Sequence, residues 1–483
     1  MLFNSKVFLL FVVGFFPLFY AVNDRARPWL LLVASYVFYG FWDPSVCVLI
    51  FLSTLLDFVC GQQIASTEND TARRRWLGLS LLGNLGALGF FKYHDFFVGE
   101  MAYLLSGLGF AVTAEDYLLR LMLPAGISFY TFQTMSYTID IYRRVHAPEP
   151  SLLRFAVYVA YFPQLVAGPV ERAEHLLPQL ARPFTLTRAL VMEGAFLILL
   201  GFVKKVVIAD RLARDIAPAF EKHATDGALA AANMLLFTTQ IYVDFSSYSD
   251  IAIGLGLLMG VRICSNFDLP FVVPSIPERW RRWHLSMSRW FRDYIFIPLG
   301  GSRRGFWRTQ VNILIVMFLS GLWHGASNNF VMWGVLNGLT MVGHALVKPG
   351  LDRVSGVMAQ ANLTRVLYFY LCCWVTYCTI ASINIFFRTP DWDTALSFWR
   401  AIYGSGLEPY LSRLPRLHKL PEPILHGAAL TLLVFVLHEA ERYLGVQRWI
   451  LQRPGAWAVF CVVSLWLIIT FGISGPMFIY FQF

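Results

Sequence analysis

Residues 308–329 read RTQVNILIVMFLSGLWHGASNN. Thirteen residues, 311–323, carry hardly a polar side chain, and the run leaves from a cluster of arginines. It ends on His324, set between Gly321 and Gly325 and followed by Ser327, Asn328 and Asn329. From Arg308 to His324 a continuous helix rises about 24 Å, most of the way through a hydrocarbon core of about 30 Å. The stretch therefore predicts a membrane helix with an ionisable imidazole deep inside it and a wet far end. Ionisable groups at such depth are costly and mark either function or an interhelical hydrogen bond.

The rest of the chain has the same character. Hydrophobic residues make up 57% of the sequence and charged residues 14%, which is too apolar for a soluble chain of this length. Apolar runs recur at 7–22, 28–41, 46–59, 77–91, 152–166, 195–203, 313–322, 366–385, 428–437 and 456–473. Spans of about 20 such residues are the mark of transmembrane helices, and several runs are short or broken by Pro and Gly, as re-entrant segments are. The expectation is an all-α, polytopic membrane protein of about 11 to 13 spans or part-spans. The first run lacks a small-residue cleavage site and leads straight into a second span, so it reads as a retained helix rather than a signal peptide.

The formal net charge is +9, but its distribution excludes a nucleic-acid partner. Basic residues gather in short connections, at Arg73–Arg75, Arg143 and Arg144, Lys204 and Lys205, and over 279–308. That is the positive-inside pattern and assigns those connections to the cytoplasm. The seven cysteines lie in or beside apolar runs without metal-ligand spacing, so they read as small buried hydrophobes and no metal is expected. The longest stretch expected outside the bilayer is 389–423, about 35 residues, below the 50 or so that an independent domain needs.

Three spans are unusually polar. LPAGISFYTFQTMSYTIDIYRR (123–144) holds Gln133 and Asp140; YFPQLVAGPVER (161–172) has two prolines about a Gly; QIYVDFSSYSDIAIGLG (240–256) carries Asp244 and Asp250 with three serines and two tyrosines. Together they predict a polar interior cavity or tunnel, with Asp244, Ser246, Tyr248 and Asn328 in its wall. The segment 277–308, PERWRRWHLSMSRWFRDYIFIPLGGSRRGFWR, alternates tryptophans with arginines at helical spacing. It reads as an amphipathic helix lying in the cytoplasmic interface.

A buried histidine tends to lose its proton, and a neutral imidazole is what a general base requires. His324 is thus either that base or a buried side chain bonded between helices. By position alone His284 reads as a surface residue of the interfacial helix, and His438, beside Glu439 and Glu441, as a helix end at the membrane surface. No H-E-x-x-H, G-x-S-x-G, P-loop or dinucleotide fingerprint is present.

Five stretches occur in order: LPAGISFYTFQTMSYTIDIYRR, YFPQLVAGPVER, DFSSYSDIAIGLG, RWRRWHLSMSRWFRDYIFIPLGGSRRG and LSGLWHGASNNFVMWGVLNG. Together they resemble the membrane-bound O-acyltransferase superfamily, specifically its bacterial branch that resembles the alginate O-acetylation membrane protein. The closing FIYFQF resembles the same branch, and Ser247 stands where the family usually has Gly. The resemblance covers most of the chain, densest over 123–338, and implies one transmembrane domain over 1–483, a helical bowl around a central tunnel. It implies that His324, in the LWHG motif, serves acyl transfer, and it marks His284, in RRWH, as a second catalytic candidate. Arg281, Arg282 and Trp283 are then candidates for holding the acyl donor. The implied function is that of a bacterial inner-membrane O-acyltransferase. It would take acetyl from cytoplasmic acetyl-CoA, with no bound cofactor, and pass it across the membrane for O-acetylation of an exopolysaccharide such as alginate. A periplasmic or membrane-anchored acetyltransferase is the implied partner. Two alternatives stay open: another envelope polymer as acceptor (cellulose, peptidoglycan or teichoic acid), or a proton-coupled transporter in which His324 and Asp244 relay protons.

Overall fold

The computed structural model describes residues 1–41, 43–121, 123–124, 126–165, 168–404, 406, 410, 420–473 and 475. Among these the chain is helical throughout, and extended pairing is limited to an isolated bridge between Phe267 and Trp283. The helices used below are α1 (Lys6–Ala21), α2 (Arg27–Gly40), α3 (Val46–Ser66), α4 (Asp70–Leu88), α5 (Ile127–Tyr142), α6 (Leu152–Ala160), α7 (Arg188–Phe202), α8 (Asp210–Phe220), α9 (Gly227–Leu258), α10 (Ile276–Trp280), α11 (Leu285–Phe291), α12 (Phe306–His324), α13 (Asn328–Met358), α14 (Asn362–Arg388), α15 (Trp392–Tyr403), α16 (Glu422–Leu444) and α17 (Pro454–Phe471).

Six of them, α3, α9, α13, α14, α16 and α17, are long and apolar enough to cross a membrane, and α1 is a shorter apolar helix. On α17, Val459, Val462, Trp466 and Ile469 are exposed. A contiguous apolar face of that kind needs hydrocarbon around it. Other apolar runs fold as shorter or interrupted helices: α7 passes through a π-helical turn, Val203–Ala209, into α8. The expected loop at 389–423 is partly helix instead. α15 opens on the Asp391 side chain as N-cap and buries Ala395, Phe398 and Ile402. The remainder of that loop at 405, 407–409 and 411–419, and the closing FIYFQF, lie outside the described residues.

Two compact units are present, residues 1–198 with 251–264, and residues 199–250 with 265–483. In the first, α3, α4 and α5 are locked by a buried polar cluster. Asp57 accepts from Ser80 Oγ at 2.5 Å and from Asn84 Nδ2 at 2.7 Å, and Thr134 Oγ1 donates to Asn84 Oδ1 at 3.2 Å. Helix α5 is buried along nearly all its length, which is why a span this polar is tolerated. Its far end is capped by Arg73, buried, donating to the carbonyls of Tyr142 and Ile141. A cation there also complements the negative end of the helix dipole.

In the second unit α12 and α13 form a tight hairpin. A Cβ added at Gly321 would stand 2.3 Å from the carbonyl oxygen of Phe330, and one at Gly334 2.4 Å from that of Met317. Only glycine allows the two backbones to approach so closely. The turn between them closes on Ser327, whose Oγ accepts from Phe330 N, and Asn329 Nδ2 donates to the Thr389 carbonyl at 3.1 Å. That last bond ties the start of α13 to the residue just past the end of α14.

The segment expected to be one interfacial helix is broken in two. α10 and α11 are separated at His284, which has φ 44° and ψ 54°. A left-handed backbone at a non-glycine residue costs about 1–2 kcal/mol and is held here by the preceding segment. Leu285 N donates to Asn266 O at 2.9 Å, Ser286 Oγ to Asn266 Oδ1 at 2.7 Å, and Asn266 Nδ2 to Ser249 Oγ on α9 at 3.2 Å. The break turns Trp283, Met287, Trp290 and Phe291 inward, where all four are buried. Periodicity reported the amphipathic spacing correctly and missed the kink, because the kink is imposed from Asn266.

Candidate functional site

His324 is the last residue of α12 and is buried. Three rings box its imidazole: Trp323 at 4.8 Å between centroids, Trp333 at 4.9 Å and Phe387 at 5.1 Å, all edge to face. The tight hairpin supplies Trp333, and α14 supplies Phe387. Trp333 is itself fixed, since its Nε1 donates to Asn384 Oδ1 at 3.1 Å and Asn384 Nδ2 donates to Thr238 Oγ1 on α9 at 3.3 Å. An imidazole packed between three rings in this way keeps one orientation.

His284 is not a surface residue. It is buried, with Phe245 at 4.7 Å and Trp323 at 5.8 Å from its ring. Burial pushes its pKa far below the usual histidine range, so the imidazole is neutral. Trp323 thus touches both histidines, and both line one cavity of about 600 Å³. Arg281, Arg289 and Arg292 stand in the wall of the same cavity. A second, nearly closed cavity of about 20 Å³ shares His324, Trp280 and Trp283 with the first. His324 therefore sits where an open, arginine-walled chamber meets a small enclosed one.

The remaining candidates are distributed as follows. Trp283 lines both cavities. Arg281 is exposed and within 3.4 Å of Glu278, while Arg282 donates from Nε to Glu278 at 2.8 Å and is absent from the walls of both cavities. The bond from Arg282 holds Glu278 below the usual carboxylate range. Asp244 and Tyr248 belong to a separate buried cluster on Lys205. Its Nζ lies 2.7 Å from Asp244 Oδ1 and 2.7 Å from Asp210 Oδ1, with the Tyr248 ring 5.5 Å away. Ser246 donates to the Val243 carbonyl inside α9, and Asn328 is exposed at the start of α13. None of these four lines either cavity at His324. His438, read from sequence as a helix end at the surface, is buried and bonded through Nε2 to the Tyr242 hydroxyl at 2.9 Å.

Sequence reasoning passed over Arg279, Trp280, Asn337 and Asn384, which all line the small cavity. Asn384 carried a signal, as a lone amide in the apolar run 366–385; the others were hidden in the arginine–tryptophan repeat or past the histidine. Among the described residues no group of three or more His, Cys, Asp or Glu side chains gathers as a metal site.

Residues 134–388 match the family model of MBOAT, the membrane-bound O-acyltransferase family. The chain is 39% identical over 450 residues to a probable alginate O-acetylase, AlgI, of Pseudomonas putida, covering 92% of this chain and 88% of the relative. It is 31% identical over 442 residues to a peptidoglycan O-acetyltransferase of Helicobacter pylori, covering 84% and 80%. A teichoic acid D-alanyltransferase of Bacillus subtilis is 26% identical over 233 residues, covering 45% and 57%.

Proposed function

Since the chain belongs to the membrane-bound O-acyltransferase family, and is a multi-pass membrane enzyme of that kind, we propose that it takes an acetyl group from cytoplasmic acetyl-CoA and passes it across the bacterial inner membrane for O-acetylation of an exopolysaccharide such as alginate. The observation that carries this reading is the position of His324 at the junction of the two cavities. As general base, His324 takes the proton of the accepting hydroxyl while that oxygen bonds to the acyl carbon. The carbon–sulfur bond then breaks, and the thiolate leaves with the proton returned by His324. His284 lines the larger cavity as a neutral imidazole, packs on the Trp323 ring that also packs on His324, and orients that ring. The acceptor follows the relatives: 37–41% identity to alginate O-acetylases against 31% to a peptidoglycan enzyme. The basic connections support a cytoplasmic donor side.

The guanidinium groups of Arg281, Arg289 and Arg292 make the larger cavity suited to an anionic, phosphate-bearing donor. Arg281→Gln with Arg282→Gln raises the Michaelis constant for the donor, leaves kcat near the wild-type value, and leaves insertion unchanged. Most of that effect belongs to Arg281, because Arg282 is held by Glu278 and lies outside the cavity wall. An unchanged donor Michaelis constant in the double variant removes the arginines from donor binding.

The polymer is reached through a second protein, a periplasmic or membrane-anchored acetyltransferase that receives the acetyl group. The test uses liposomes holding this enzyme, acetyl-CoA inside and purified polysaccharide outside. Polymer acetylation is expected only when the partner is added. Efficient acetylation by this chain alone sinks the partner, and no movement of acetyl from acetyl-CoA in any arrangement sinks the donor assignment.

A further inference from the structure

The small cavity at His324 holds about 20 Å³. A water molecule needs about 10–15 Å³ of such space, so the cavity accepts one heavy atom and excludes an acyl chain. Its wall is rich in donors. Arg279, 6% exposed, brings a guanidinium whose Cζ lies 3.8 Å from the Trp283 ring centroid. Trp280 stands edge-on to Trp333 at 5.8 Å, and Trp333 is the ring packed on His324. The two indoles differ in one respect. Trp333 Nε1 is spent on Asn384, whereas Trp280 Nε1, equally cut off from solvent, meets no acceptor among the described residues. The amides in the wall are committed as well: Asn384 Nδ2 donates to Thr238, and Asn337 Nδ2 to the Trp333 carbonyl at 2.8 Å. A buried N–H without an acceptor is expensive and calls for an explanation.

We propose that this cavity receives the reacting carbonyl oxygen, with the Trp280 indole N–H and the Arg279 guanidinium as its donors. The proposal rests on the reading of His324 as base and of a thioester as donor. When the accepting hydroxyl oxygen bonds to the acyl carbon, its proton goes to His324 and the carbonyl π pair moves onto oxygen. That new negative charge forms beside a cation and an N–H that are already in place and desolvated, so the transition state gains more than the ground state. On collapse the pair reforms C=O, the carbon–sulfur bond breaks, and His324 returns its proton to the thiolate. Arg279 and Trp280 are then catalytic residues, adjacent at the C-terminal end of α10.

The experiment replaces the N–H while keeping the ring. Trp280→Phe, and a second variant carrying benzothienylalanine at position 280 with sulfur in place of N–H, are purified and compared by size-exclusion profile and melting temperature. Donor kinetics are measured in liposomes and polymer acetyl content in cells. Both variants are expected to fold as wild type and to lose about 10²-fold in kcat with an unchanged donor Michaelis constant, the usual effect of losing one such donor. Arg279→Lys retains part of the rate that Arg279→Met loses. A benzothienylalanine variant with wild-type kcat overturns the proposal, since a merely structural ring would not miss its proton. If the wild type ignores acetyl-CoA in liposomes yet acetylates polymer in cells, the donor assignment fails alone. The same comparison made in cells then decides the carbonyl pocket.

Discussion

His324→Ala inserts and folds as the wild type does, and transfers acyl groups at least 10²–10⁴-fold more slowly, the range for a lost general acid–base group. Folding survives because the imidazole belongs to the last residue of its helix and lines two cavities. Truncation enlarges a space that already exists rather than opening a new one in packed core. The hairpin that carries it is set by Gly321 and Gly334 and by Asn329, none of which touches the removed atoms' role. The check is acetyl transfer by purified protein whose size-exclusion profile matches wild type. Near-normal transfer by such a protein returns His324 to the role of a buried interhelical side chain.

Lys205→Met is expected to cost about 3–5 kcal/mol of stability, the penalty for breaking a buried ion pair by removing one partner. Lys205 stands between Asp210 and Asp244, and all three side chains are at most 2% exposed. Without the ammonium, two buried carboxylates lose the cation that stands between them. The π-helical turn that presents Lys205 between α7 and α8 loses the ion pairs that this side chain supplies. Thermal melting in detergent reads the loss. The combined variant Lys205→Met, Asp210→Asn, Asp244→Asn recovers most of it, because neutral groups carry no uncompensated charge. A single variant that melts with wild type shows that the cluster does not hold these helices.

How far the sequence reaches is visible at individual positions. That the chain is helical and membrane-bound followed from the apolar runs, because a segment able to satisfy its own backbone hydrogen bonds in hydrocarbon must be a helix or part of a barrel. That His324 ends a long apolar helix followed from spacing alone, and α12 runs from Phe306 to His324 without a break. The glycines around it signalled close approach, and the partner backbone is there.

The polar span 240–256 shows where such reading stops. Asp244 and Tyr248 were legible as buried polar groups but not as partners of Lys205, which lies about 40 positions earlier and pairs with Asp244 only across two helices. His284 and His438 looked exposed because each is flanked by charge. Their burial comes from Phe245, Trp323 and Tyr242, rings contributed by distant segments. Likewise nothing in the alternation of tryptophan and arginine over 277–292 distinguishes Arg279, buried over the Trp283 ring, from Arg281, exposed two residues on. What local sequence decides is the period of the apolar face and the places where the backbone may turn, since these depend on residues within a few positions of one another. Which buried polar groups meet, and which of them face the cavities at His324, is decided by helix packing across long separations in sequence. There each side chain's environment is made by residues that its own neighbours do not reveal.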